Sequence, residues 1–286
     1  MNSEIGNKTV CVLISCMFQD KSIVKRTGVQ TNVVVVNQCD EDKVEEYDFI
    51  NDSNKKCHVK FISTRERGLS RSRNMAIWNC SDDICLICDD DEVLLDDYEG
   101  IIQEGYKHYP SASVVTFMLE REYSNHRNYP SPPGKRHNLI SILRTNSLEI
   151  TFKREDVITN KISFDEMMGS GTGNGSGEEE KFLMDIRRKK LQLFFYAKTI
   201  AIVHQGESQW FKGFDKDYFY NKGWSARRIL GAPVSIIYLL YFVFSHYNQF
   251  KADISLITMI TSLTKGWFSK KVKQIKYAYK DKSETE

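Results

Sequence analysis

The sequence predicts an α/β protein: a doubly wound mixed sheet followed by an apolar helical extension at the C-terminus. Three observations carry this. Short, unbroken apolar runs recur through the N-terminal part, as expected of strands buried on both faces. Segments with helical spacing lie between them, and strands alternating with helices build a doubly wound sheet. From residue 229 to 250 there is no charged side chain.

Taken in order, Thr9 to Ser15 reads as a first buried strand and Asn32 to Asn37 as a second. The polar stretch from Lys43 to Lys56 reads as loop with some helix. His58 to Ile62 alternates and reads as a third strand. A helix follows from Leu69 to Trp78, with Leu69, Arg73, Ala76 and Ile77 at helical spacing. Ile84 to Cys88 is a further buried strand. Asp96 to His108 is a helix, opened by Asp and stopped before Pro110. Ser113 to Leu119 is a strand, and Pro130 to Gly134 punctuates a loop. Asn138 to Leu143 and Glu149 to Lys153 read as shorter strands of a second, α+β half. Gly169 to Gly177 is a mobile loop without the Gly-Lys-Ser/Thr of a phosphate loop. The helix from Glu178 to Lys190 has acids at its start and bases at its end, complementing its dipole. Thr199 to Val203 is a last strand.

The C-terminal part departs from this pattern. Val234 to Phe244 is strongly apolar and aromatic, with Arg227 and Arg228 before it and Lys251 after the uncharged stretch. A weaker apolar segment runs from Ile254 to Phe268, followed by a basic tail from Lys270 to Lys282. This suits a helix pair lying in the interface of an anionic membrane. A spanning or re-entrant segment and a buried helix hairpin stay open, since length alone does not separate them.

Composition narrows the partners. The chain has 286 residues, 41% hydrophobic and 27% charged, with 40 basic and 38 acidic side chains and a net charge of +2. It is a globular chain with no electrostatic reason to bind nucleic acid. Seven cysteines, an odd number, lie partly in strand-like runs and read as reduced core residues of a cytosolic protein. Cys85 and Cys88, with Cys80 upstream, hint at zinc. No second pair matches, and residues three apart on a strand face opposite ways, so the sequence argues against such a site. The polar start from Met1 to Lys8 carries no secretory signal.

The most informative feature is the run Asp89-Asp90-Asp91-Glu92, directly after the buried strand. Consecutive carboxylates at a strand end repel one another unless a cation sits there. Strand ends are where open α/β sheets bind ligands, and clustered hard oxygens suit Mg²⁺ or Mn²⁺ carrying phosphates. The bland alternative is a solvated acidic turn opening the next helix.

Other segments fall around it in a fixed order: Ser15-Cys16 and Asn37-Gln38-Cys39-Asp40 at strand ends, then Arg67-Gly68-Leu69-Ser70-Arg71-Ser72-Arg73-Asn74, Asp89-Asp90-Asp91, Gly177-Glu178-Glu179, and His204. This ordered set resembles the family 2 glycosyltransferases, enzymes of GT-A fold that transfer sugars from nucleotide diphosphates. The resemblance spans roughly residues 8 to 210. Arg67 to Asn74 looks like the family's Arg-Gly-x-x-x-Ala-Arg-Asn with Ser for Ala. Asp89-Asp90-Asp91 looks like its Asp-x-Asp, and Gly177-Glu178-Glu179 looks like its Gly-Glu-Asp with Glu in the Asp place. The loops after the first two strands depart from the family's Pro-x-Tyr-Asn and Asp-Asp-Gly-Ser.

The resemblance implies a GT-A domain over 1–225, with a nucleotide-sugar half to about 120 and an acceptor half beyond, and a membrane-associated segment over 226–286. It implies a UDP-sugar donor and Mn²⁺ or Mg²⁺. Asp91 becomes the metal ligand, with Asp89 and His204 as further metal contacts. Ser15, Asn37, Arg67, Arg73, Asp89 and Asp90 become nucleotide contacts, and Glu92 only starts the next turn. Guanidinium groups match phosphate geometry. Glu179 becomes the general base on the acceptor hydroxyl, with Glu178 positioning the acceptor. A base-activated single displacement inverts the anomeric centre. The implied acceptor is a glycan or a lipid-linked glycan of a bacterial surface polysaccharide, at the cytoplasmic face of the membrane. A second hypothesis keeps the fold and drops catalysis, making the chain a sugar-nucleotide-binding scaffold subunit. A nucleotidyltransferase would want a glycine-rich loop after the first strand, and Met17-Phe18-Gln19-Asp20 has no glycine.

Overall fold

The computed structural model describes residues 8–121, 135–172, 174–204 and 213–270. The expected loop at Pro130 to Gly134, the segment from Gln205 to Phe211 and the basic tail beyond Lys270 lie outside the described residues. The chain forms two compact units. The first comprises Met1–Arg67, Arg71–Ser163 and Asp185–Gly206; the second comprises Gly68–Ser70, Phe164–Met184 and Glu207–Glu286. The second thus takes in the segment from 226 that the sequence sets apart.

The first unit is built on a nine-stranded sheet among the described residues. Its strands are β1 (Val10–Met17), β2 (Asn32–Gln38), β3 (Lys43–Ile50), β4 (Lys56–Thr64), β5 (Ile84–Cys88), β6 (Glu92–Leu94), β7 (Ala112–Arg121), β8 (Ile150–Lys153) and β9 (Gln192–Val203), in the spatial order β3-β4-β2-β1-β5-β8-β7-β9-β6. β1 pairs in parallel with β2 and β5, and β2 with β4. β8 turns the sheet antiparallel against β5 and β7, so the sheet is mixed as expected. The short helix α1 (Ile23–Arg26) connects β1 to β2, α2 (Leu69–Asn79) connects β4 to β5, and α3 (Tyr98–His108) leads to β7. The order in which successive strands are laid along the sheet reverses between β1 and β5. In open α/β sheets that switch point is where ligands bind, at the carboxyl ends of the strands.

The parallel strands form because their residues are apolar on both faces. Val12, Ile14, Val35, Val36, Val59 and Leu86 are wholly buried. β3 corrects the expectation of a loop with some helix at Lys43 to Lys56. Its residues alternate between exposed and half-buried, and it pairs antiparallel with β4 at the sheet edge. Charge hides its period, because the exposed face carries Glu46 and Asp48, which pair across to Lys60 (3.3 Å) and Lys56 (2.8 Å). Charged residues on an edge strand also block pairing with another chain.

Asn138 to Leu143 is corrected from strand to the short helix α4 (Leu139–Ile142). The Asn138 side chain accepts from the Ser141 amide at 2.9 Å, and the Ser141 hydroxyl accepts from the Asn138 amide at 2.9 Å. That reciprocal cap outweighs the apolar content of the stretch. A 3₁₀ turn (Ser147–Glu149) and α5 (Arg154–Thr159) flank β8. β9 is longer than predicted because it pairs with both β7 and β6.

The second unit is helical: the first part of α6 (Glu178–Arg188), then α7 (Lys216–Leu230), α8 (Ala232–Phe250) and α9 (Leu256–Phe268). Gly231, at φ 77°, ends α7 and separates it from α8. α7 and α9 approach through two glycines. A Cβ on Gly223 would run into the Leu263 carbonyl, and one on Gly266 into the Tyr220 carbonyl. Phe219, Phe242, Phe250, Met259 and Leu263 form the core. Among the described residues no helix is long and apolar enough to cross a membrane.

Candidate active site

Strand register brings four polar segments to one edge of the first unit. Cys16 lies opposite Asn37, Gln38 opposite Thr64, and Ile14 opposite Cys88. The segments following β1, β2, β4 and β5 therefore leave the sheet side by side.

They are tied to each other by buried or half-buried polar groups. The Asn37 amide grips the backbone of Gln19: its oxygen accepts the Gln19 N–H at 2.9 Å and its nitrogen donates to the Gln19 carbonyl at 2.8 Å. Gln19 in turn donates to Asp90 (3.1 Å) and accepts from Arg26 (2.8 Å). Arg67 donates to the carbonyls of Cys39 (2.9 Å) and Thr64 (3.1 Å) and to the Asp40 carboxylate (2.9 Å). Its guanidinium lies over the Phe18 ring at 5.6 Å. Phe18 itself has φ 51° and is 63% exposed. One guanidinium thus holds the segments after β1, β2 and β4 together. Ser15 is buried and accepts from the Ser72 hydroxyl of α2 at 2.9 Å.

Arg73 is 2% exposed, and its Nη2 donates to both Asp89 oxygens at 3.2 and 3.3 Å. The helix-borne arginine thus enters the sheet edge and fixes the first aspartate of the acidic run. Asp90 and Asp91 occupy a turn between β5 and β6 and are exposed. The acids therefore do not open a helix. Glu92 is corrected from a turn residue to the buried start of β6, paired with Val203. Its Oε1 accepts the Asp89 N–H at 3.2 Å. Burial pushes the Glu92 carboxyl well above its usual range, and the charges of Asp89 and Asp91 add to this against the Cys88 thiol. The same β6–β9 pairing delivers His204: its backbone N–H donates to the Asp91 carbonyl at 3.1 Å, and its side chain is exposed.

Asp91 and His204 are thus joined through their backbones at the turn, and both side chains are exposed there. A carboxylate oxygen is a ligand type that suits Mn²⁺ or Mg²⁺ carrying phosphates. Gln19, which reaches Asp90, also lines an open cavity of about 420 Å³ together with Asp20, Lys21, Ser22, Asn37, Glu41, Glu45, Phe61 and Ser63. Gln19 and Glu92 were missed as organising residues. The only signal for Gln19 was its place after a buried strand, and Glu92 was hidden by its acidic neighbours.

In the second unit the glycine run forms a defined loop. Gly169 donates to the Gly175 carbonyl at 3.2 Å, and the Thr172 amide donates to the Gly169 carbonyl at 3.2 Å. The loop also accepts the Leu69 amide at Ser170 (3.2 Å) and the Ser70 hydroxyl at Met168 (2.9 Å). Glu178 is buried against it. Its Oε2 accepts the Gly177 N–H at 3.2 Å, and a Cβ on Gly169, at φ 93°, would strike its carboxylate. Glu179 follows in the first turn of α6, half-buried. Asp165 pairs with Arg228 of α7, with a second bond at 2.9 Å.

The signature described as "Glycosyl transferase family 2" matches residues 21–171, just over half of the chain. Among solved structures, S. aureus TarS 1-349 superposes with a TM-score of 0.62 at 16% identity, over 90% of this chain and 80% of that one. The same fragment in complex with UDP-GlcNAc gives a TM-score of 0.63 at 16% identity, with the same coverage. The longer S. aureus TarS gives 0.60 at 16% identity, over 89% of this chain and 48% of that one. At that identity the likeness speaks to fold. Among curated proteins none matches this sequence. The chain belongs to glycosyl transferase family 2 and has the GT-A fold of that family.

Proposed function

We propose that the protein is an inverting, metal-dependent glycosyltransferase that moves a sugar from a UDP-sugar to a hydroxyl of a glycan or lipid-linked acceptor in bacterial surface polysaccharide synthesis. The observation that carries the reading is the carboxyl edge of β1, β2, β4 and β5, where the Asp89–Asp91 turn meets His204 and where Gln19, bonded to Asp90, lines a cavity of nucleoside size. The UDP-GlcNAc bound by TarS, a structural neighbour, supports the donor class.

In this reading the cavity takes the base and ribose, and Asn37 acts by holding the Gln19 segment in shape. Arg67 braces the three surrounding segments and Arg73 aims Asp89. Asp91 and His204 would hold a divalent ion, which would supply positive charge toward the departing diphosphate. Glu179 takes the proton of the acceptor hydroxyl as its oxygen bonds to the anomeric carbon. The bond from that carbon to the diphosphate oxygen breaks on the opposite face, and its electron pair leaves with the nucleotide. Glu178, buried against Gly169, keeps the start of α6 in place.

The exposed apolar side chains of α8 and α9 support a location at the cytoplasmic face of a membrane. Ile237, Phe244 and Ile257 are 69, 81 and 79% exposed, and Lys251 and Lys265 lie on the same two-helix segment. Apolar groups flanked by cations suit an anionic lipid surface.

A screen of nucleotide sugars by thermal shift with Mn²⁺ present tests the donor. A UDP-sugar is expected to raise the melting temperature by mass action. Proton NMR of the product should show the anomeric configuration opposite to the donor. Retained configuration, or stabilisation by another nucleotide in place of uridine, would overturn the corresponding part.

A further inference from the structure

We propose that Cys11, Cys80, Asp82 and Cys85 form a structural zinc site at the amino-terminal end of the parallel strands. Cys11 and Cys85 are the second residues of β1 and β5 and lie directly opposite each other in the parallel register. Their side chains therefore emerge on the same face of the sheet. Cys80 and Asp82 sit in the short connection between α2 and β5, which brings them over that pair. The Sγ atoms of Cys11 and Cys80 and a carboxylate oxygen of Asp82 all lie within 4.8 Å of one another. The Sγ atoms of Cys80 and Cys85 are 3.7 Å apart.

That spacing is what zinc needs. With Zn–S bonds of about 2.3 Å in a tetrahedron, two sulfur ligands stand about 3.8 Å apart. Cys11, Cys80 and Asp82 lie within reach of one ion, and Cys85, in contact with Cys80, is the thiol that supplies the fourth ligand of the closed form taken by structural zinc. Asp82 is held for the role. Its Oδ1 accepts from the Asn32 amide at 2.9 Å, the kind of outer contact that orients a ligating carboxylate. Cys11, Cys80 and Cys85 are all nearly inaccessible, which shelters a bound ion from exchange. The thiols already interact. The Cys85 thiol is directed at the Cys80 sulfur. Zinc binding displaces the thiol protons to solvent.

Cys88 takes no part, because its side chain faces the opposite side of β5 from Cys85. Neighbouring strands bring Cys11 to Cys85, and only the sheet register shows it. The site is separate from the acidic turn. From Cys85 to Asp89 is four strand residues, about 13 Å at 3.3 Å each, and on to the turn is farther. A zinc ion there would pin β1, β5 and the end of α2, the helix that carries Arg73.

The test uses the full chain expressed in zinc-supplemented medium. Metal analysis after exhaustive dialysis is expected to give stoichiometric zinc in the wild type, in Asp91→Asn and in Cys57→Ala. Cys80→Ala and Cys11→Ser should lose it, and chelation should lower the wild-type melting temperature by several degrees. Should those variants fail to fold, cobalt(II) titration of zinc-stripped wild type decides. It should produce the thiolate-to-cobalt charge-transfer band and the intense visible bands of a tetrahedral sulfur site. Cobalt binding without those bands, zinc retained in folded Cys80→Ala, or zinc lost in Asp91→Asn would overturn the proposal.

Discussion

The carboxyl edge of the parallel sheet and the α8–α9 pair treat their side chains in opposite ways. At the sheet edge, polar and charged groups bond to one another: Arg73 to Asp89, Arg67 to Asp40, Gln19 to Asp90. On α8 and α9, large apolar side chains are turned outward, with Ile237, Leu240, Phe244 and Ile257 more than half exposed. In the proposed function these two regions meet different partners, a charged small molecule at the sheet edge and an apolar surface at the two helices.

The largest effect should come from the proposed base. Glu179→Gln keeps the shape of the side chain and removes proton acceptance, so turnover should fall by about 10² to 10⁴-fold with donor affinity unchanged. Steady-state kinetics and nucleotide binding on the same preparation separate the two. An unchanged rate would move the base elsewhere.

Next comes the helical unit. Gly223→Val places a branched side chain against the Leu263 carbonyl and should destabilise that unit by about 3 kcal/mol or more. Denaturant unfolding followed by tryptophan fluorescence should show it, since Trp224 and Trp267 belong to α7 and α9. If UDP binding survived that loss, the two regions would be independent in function as well as in chemistry.

Acidification should weaken the first unit through His137. Burial holds its imidazole down at about 4, between Thr116 (2.7 Å) and Ser141 (3.0 Å). The folded-state pKa is depressed, so the unfolded chain takes up the proton first. The stabilisation is present above about 6.5 and is lost as pH falls toward 4, amounting to about 3 kcal/mol at most. His137→Gln should flatten the stability profile in that window. A slope unchanged in the variant would assign the effect to another group.

The smallest effect concerns the exposed helices. Replacing Phe244 by Ser should lower co-sedimentation with anionic vesicles by about tenfold, since a buried apolar side chain contributes about 1.5–3 kcal/mol. Catalysis on a soluble acceptor should not change. Equal sedimentation of variant and wild type would remove the lipid surface as the partner.

Sequence legibility followed the same divide. β1, β2 and β5 were readable because burial on both faces leaves an unmistakable apolar run. β3 was not, because an edge strand can carry charge on its exposed face. α4 was misread because a capping asparagine and one serine decide it, and neither weighs in an apolar count. The acidic turn, Arg67 and Arg73 were legible as site candidates through their order along the chain. What was not legible was that most of them bond to each other: Asn37 to Gln19, Ser15 to Ser72, Glu92 to the Asp89 amide. Those pairings depend on which strands are neighbours, and so does the meeting of Cys11 with Cys85.

The central claim is that the turn at Asp91 and His204 binds a metal-bound uridine diphosphate. Isothermal titration of UDP, with and without Mn²⁺, tests it in wild type, Asp91→Asn and His204→Ala. Wild type should bind UDP at least tenfold more tightly with Mn²⁺ present, and both variants should lose that gain while keeping the metal-free affinity. A manganese-dependent gain that survives in Asp91→Asn would contradict the account.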